Sequence, residues 1–176
     1  MDIQIPKKER SWGARIFIIL GLTILVILVG GATWLLLNHY SYQQYQIRLE
    51  YVMGGQTSTV ETVDQSGNRC VLSDINRRAM YGFLADGSGR RLPFCPGEPT
   101  GQSISFHAES AVGEADGTVT EISGDYVGIT FTYEGKTWEF YCKNRSVYEY
   151  YQRVTSPDGW VEPNLEYYPA ESQEGE

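Results

Sequence analysis

Three cysteines and one histidine are the residues of this 176-residue sequence best suited to chemistry: Cys70, Cys95, Cys142 and His107. Cys95 sits between two prolines in "LPFCPGEP", where a thiol can serve as nucleophile, metal ligand or half of a disulfide. Metal binding is the weakest of these readings. No C-x-x-C or H-x3-H spacing occurs, and only His107 could join three scattered thiols, so neither a metal nor a cofactor is expected. "DGSG" lacks the ligand spacing of a calcium loop, and "GGQTST" has no lysine where a phosphate loop needs one. A disulfide fits better. Cys70 and Cys95 bracket a helical pattern and a long loop, and closing a loop of 26 residues, both cysteines included, would stabilise the fold by about 3.5 kcal/mol in the chain-entropy model. Three cysteines leave one over, however, and spacing alone does not decide the pairing.

The nucleophile reading requires a base and an oxyanion donor. Cys142 as nucleophile, His107 as base and Arg145 as oxyanion support would make a cysteine-dependent transpeptidase or hydrolase. That His…Cys…Arg order resembles the membrane-anchored sortases, which implies thiol transpeptidation on a β-barrel. The sortase Thr-Leu-x-Thr-Cys motif is replaced here by Trp138-Glu139-Phe140-Tyr141-Cys142. A reactive thiolate also needs an electropositive, partly exposed setting, and the strand pattern puts Cys142 on an apolar face. No G-x-S-x-G elbow is present for serine chemistry.

The elements that would carry these residues follow from periodicity. "DYVGITFTYEGKTWEFYC" reads as a hairpin with Glu134-Gly135 at the turn. That register pairs Phe131 with Trp138, Ile129 with Phe140 and Val127 with Cys142 on an apolar face. Thr130 opposite Glu139 and Thr132 opposite Thr137 make the polar face. "SISFHAE" alternates with Ile104, Phe106 and Ala108 on one side and His107 on the other, and "GTVTEIS" supplies a neighbouring strand. Alternation in "YQIRLEYVMGG" predicts a strand with Tyr45, Ile47, Leu49 and Tyr51 on one face, and "TSTVETV" a second. Helices are predicted from Ser73, as N-cap, to Ala85 and from Arg145 to Val154. In the first of these, Arg77 and Arg78 are expected on the solvated face. The sixteen-residue stretch 86–101 reads as a long loop.

Residues 16–37, "IFIILGLTILVILVGGATWLLL", contain no charged side chain. Twenty-two residues rise about 33 Å as a helix, enough to span a bilayer core of roughly 30 Å. Lys7, Lys8, Arg10 and Arg15 precede this span, whereas Arg48 is the only basic residue from Asn38 to Asn68. The positive-inside rule therefore predicts a plasma-membrane protein with a cytoplasmic N-terminus and an exported C-terminal domain. Gly30-Gly31-Ala32 resembles a signal-peptidase site, but "TWLLL" continues the apolar run beyond it.

The expected organisation is a basic cytoplasmic tail (1–15), a transmembrane helix (16–37), an extracytoplasmic α+β domain (38–155) and an acidic disordered tail (156–176). The α+β domain is a small, mainly antiparallel sheet of five or six strands with two short helices. Residues 38–176 hold 20 acidic and 10 basic side chains, which disfavours nucleic acid and anionic lipid surfaces, so no nucleic-acid partner is expected. All 13 tyrosines lie in this part. Tyr167 and Tyr168, in the predicted tail, are candidates for a partner-binding motif. The expected function is a non-catalytic, single-pass membrane-anchored binding or accessory domain that engages a protein or envelope partner. The cysteine enzyme is the alternative.

Overall fold

A computed structural model describes residues 12–86, 91–92, 94–143 and 145–170. It divides into two units, Met1–Tyr40 and Ser41–Glu176.

The described part of the first unit is helical and apolar. Helix α1 runs unbroken from Trp12 to Leu49, and its N-terminal part is long and apolar enough to cross a membrane. The side chains from Ile16 to Leu37 are largely exposed, so this stretch is not the core helix of a folded unit.

The second unit is an eight-stranded antiparallel sheet with helices packed on one face. Its strands are β1 (Thr59–Asp64), β2 (Arg69–Val71), β3 (Arg91–Leu92), β4 (Pro99–Ser110), β5 (Gly113–Ile122), β6 (Tyr126–Tyr133), β7 (Lys136–Lys143) and β8 (Glu166–Tyr168). They lie in the order β3-β7-β6-β5-β4-β1-β2-β8. The β6–β7 hairpin adopts the expected register, from Val127 opposite Cys142 to Thr132 opposite Thr137. Glu134 and Gly135 both take positive φ, 49° and 76°, the backbone of a two-residue hairpin turn. Ile104, Phe106 and Ala108 of β4 face inward with Ala115 and Val119 of β5. Gly117 fits the same face because a Cβ there would collide with the Phe106 ring.

The helices on that face are the last turns of α1, then α2 (Asp74–Asp86) and α3 (Arg145–Val154). Ser73 caps α2 as expected, its hydroxyl accepting from the Asn76 amide at 3.3 Å. Three expectations are corrected here. First, 45–51 is not a strand: α1 continues through it and ends in a π-helical turn, Glu50–Gly54. Tyr42, Tyr45, Leu49, Val52 and Met53 are buried while Ile47 and Tyr51 are exposed, so the operative period is helical. A helix already nucleated upstream propagates through 45–51, and it stops at Gly54-Gly55, the first glycines after Gly31. Tyr45 then packs edge-on against Phe131 and Phe140, with centroids 5.4 and 5.1 Å away.

Second, Arg77 is buried, and only Arg78 of the pair is solvated. The Arg77 guanidinium donates to the Met53 carbonyl at the end of the π turn and lies 3.2 Å from the Asp74 carboxylate. In return, Tyr42 and Gln46 donate to the Ala85 carbonyl, and Tyr45 to that of Leu84. Each helix thus satisfies terminal carbonyls of the other, groups that no intrahelical donor can reach.

Third, the C-terminal stretch is ordered as far as Ala170; residues 171–176 lie outside the described residues. Asn164 donates to the Val154 and Ser156 carbonyls at 2.7 Å each, and accepts from Asn76 at 2.8 Å and the Ser73 amide at 3.1 Å. Asn76 also donates to the Glu162 carbonyl and accepts from the Trp160 amide. These bonds fasten 156–165 to α2 and α3 and deliver β8 to β2, where Tyr167 lies opposite Cys70. The long loop is likewise shortened at both ends, by β3 and by the start of β4.

Candidate functional site

Strand alternation distributes the chemistry-bearing residues between the two faces of the sheet. Cys142 faces inward and is buried beside Val127. His107 faces outward on β4, half-exposed, with Nδ1 2.8 Å from an Asp116 carboxylate oxygen on β5. That hydrogen bond raises the His107 pKa above its ordinary value against an opposing desolvation, and the charges of Asp116, Glu114 and Glu109 add to the rise. Two strands and the thickness of the sheet separate His107 from Cys142, so the structure does not bring the expected nucleophile and base together. The Arg145 side chain lies outside the described residues.

Cys70 and Cys95 are also apart. Cys70 is buried on the inward side of β2, with Sγ 3.9 Å from the Ser156 carbonyl. Burial pushes its thiol up to about 11, against a smaller lowering by Asn164. Cys95 is exposed, its Sγ 2.9 Å from the Gly97 carbonyl and its thiol against the Tyr141 hydroxyl. Tyr141 points to the outward face of β7, so the two sulfurs sit on opposite sides of the sheet with β6, β5, β4 and β1 between. A disulfide needs Cα atoms within about 7 Å, and this arrangement forms none. Among the described residues no group of three or more His, Cys, Asp or Glu could hold a metal ion.

The arrangement does create a polar cleft of about 340 Å³ on the helix-covered side of the sheet. The β1–β2 turn contributes Asp64, Gln65 and Ser66; β4 contributes Gln102, Ser103 and Ile104. Tyr148, Gln152 and Thr155 of α3 form the opposite wall, and Ser156, Pro157 and Tyr167 close the end. Gln102 lies two residues before Ile104, within the register irregularity at the start of β4, and its exposed amide lines the cleft past the edge of the helical cover. Across the cleft Gln152 Nε2 donates to Gln102 Oε1 at 3.3 Å. Asp64 is committed to its own turn, its carboxylate accepting from the Asn68 amide at 2.9 Å and side chain at 2.7 Å. Tyr148 is nearly enclosed, and burial, with Glu121 and Asp64 nearby, raises its pKa and keeps the phenol protonated.

Of the two tyrosines singled out in the sequence, Tyr167 lines this cleft and Tyr168 stands on the other side of β8. Both are exposed, 38% and 53% respectively. The outer backbone edge of β8 pairs with no other strand among the described residues. Sequence reasoning missed the cleft itself. The signal was Gln102, a polar residue in phase with an inward apolar run.

No protein-family model, curated protein or solved structure matches this chain.

Proposed function

We propose that the chain is a single-pass plasma-membrane protein, N-terminus cytoplasmic, whose exported domain is a non-catalytic binding or accessory module. Its contact with a protein or envelope partner is assigned to the end of the sheet formed by β8. The observation that carries this reading is a terminal strand whose outer edge is unpaired among the described residues, flanked on both faces by exposed tyrosines, Tyr167 and Tyr168. Such an edge offers main-chain hydrogen bonds, and tyrosines offer apolar area with a polar tip, the combination that protein-recognition surfaces use. The separation of His107 from Cys142 weighs against the transpeptidase or hydrolase alternative.

A photocrosslinking residue at Tyr168 in membranes of the source cell tests this reading, with one at Thr130 on the mid-sheet as control. The expected result is a discrete adduct at Tyr168, absent at Thr130 and lost when Tyr167 is replaced by Ala. Equal crosslinking at both sites would sink the assignment.

A further inference from the structure

We propose that the cleft between α3 and the β1–β4 strand ends is a binding site for a neutral, polyhydroxylated ligand: a short stretch of uncharged oligosaccharide. This goes beyond partner docking at β8 and rests only on the broader reading of the domain as a binding module.

The volume, about 340 Å³, lies at the low end of the roughly 300–1,000 Å³ found for small-ligand sites. Its chemistry is what selects the ligand class. The described lining residues are three amides, four hydroxyls, two tyrosines, one carboxylate and the apolar Ile104 and Pro157, with no lysine or arginine among them. A phosphate or carboxylate ligand would lack a cationic partner there, and the negative charge of the surrounding domain would repel it. A cationic ligand would meet a single carboxylate in the described lining, Asp64, each of whose oxygens already accepts one hydrogen bond from Asn68. An apolar ligand would strand the amides without partners.

A sugar chain meets each of these conditions. Gln152 and Gln102 hydrogen-bond to each other through one group apiece, leaving the Gln152 carbonyl and a Gln102 N–H for a ligand hydroxyl, which both donates and accepts. The Tyr167 ring supplies an apolar wall of the kind on which a sugar C–H face can lie, while Tyr148 offers a phenol that burial keeps neutral.

The test uses the full chain in phospholipid nanodiscs, free of sugar detergents, with maltohexaose and the hexamer of N-acetylglucosamine as probes. Saturation-transfer NMR should show contact with at least one of them, with an affinity independent of salt. Gln152→Ala and Gln102→Ala replace exposed side chains, so the variants should fold, and each should weaken binding about tenfold. Failure of both neutral hexamers to bind overturns the proposal. So does binding that both glutamine variants leave unchanged, or binding that a sulfated hexasaccharide matches and high salt abolishes. Crosslinking at Tyr168 is read separately, so a loss of saccharide binding leaves the β8 contact standing, and the reverse.

Discussion

At the residue scale, the face on which a side chain lies decides which chemistry it can reach. His107 alternates outward on β4 and meets Asp116 directly across the ladder, with Glu109 and Glu114 nearby and Glu61 opposite on β1. The protonated imidazolium is favoured in the folded state, so its folded pKa lies above the unfolded value near 6.5. The pair's stabilising contribution is therefore fully present below about pH 6.5 and is lost as pH rises through the raised folded value. An NMR titration of the His107 ring should give a midpoint above 6.5, and Asp116→Asn should bring it back toward that value. A midpoint at or below 6.5 in the parent protein would show that the contact does not form in solution. The same alternation keeps Cys142 in the core, where it lies beside Val127 and out of reach of His107.

At the scale of elements, two side chains explain why a segment that looks like a tail becomes a strand. The acidic, proline-bearing composition after Ser156 carries no apolar periodicity, and nothing local in it predicts order. Order comes from Asn164 and Asn76, which are 88 residues apart in sequence and hydrogen-bond at 2.8 Å. Replacing Asn164 by Ala strips partners from the Val154 and Ser156 carbonyls and from the Ser73 amide, and should cost about 2–4 kcal/mol. Limited proteolysis should then cut near 156–165 much faster than in the parent. An unchanged cleavage pattern would mean that β8 holds without this pair. Gly159→Ala should act in the same direction, because at its positive φ a Cβ would run into the Asn76 amide and the Glu162 carbonyl.

The elements that were legible in sequence are those whose pattern and partners are local: the β6–β7 hairpin with its register, β4, α2 with its Ser73 cap, and α3. Elements specified by distant partners were not. Residues 45–51 alternate like a strand but inherit helical backbone from α1. Arg77 reads as a surface residue until the carbonyls at the end of the π turn arrive beside it. The cleft needed β1, β4, α3 and β8 together, and β8 itself was hidden in the apparent tail.

At the scale of the whole molecule, the proposed membrane topology is open to test, and the cysteines supply the reporter. The apolar part of α1 bears its basic flank at Arg15 and the preceding lysines, an asymmetry that predicts export of everything after the span. Cys70 and Cys142 are buried in the core, and burial holds the Cys70 thiol up to about 11, far from a reactive thiolate at neutral pH. Cys95 is exposed on the opposite face of the sheet. A membrane-impermeant maleimide added to intact cells should therefore label the protein once, at Cys95. Cys95→Ser should abolish the label, and denaturation should reveal the other two thiols. Labelling only after the cells are opened would reverse the orientation and place the sheet in the cytoplasm. Protection of Cys95 together with Cys70, released by a reductant, would mean that these sulfurs are bridged and that the strand order separating them is wrong. One label from outside is the outcome that joins the charge asymmetry of the span to the facing of the strands.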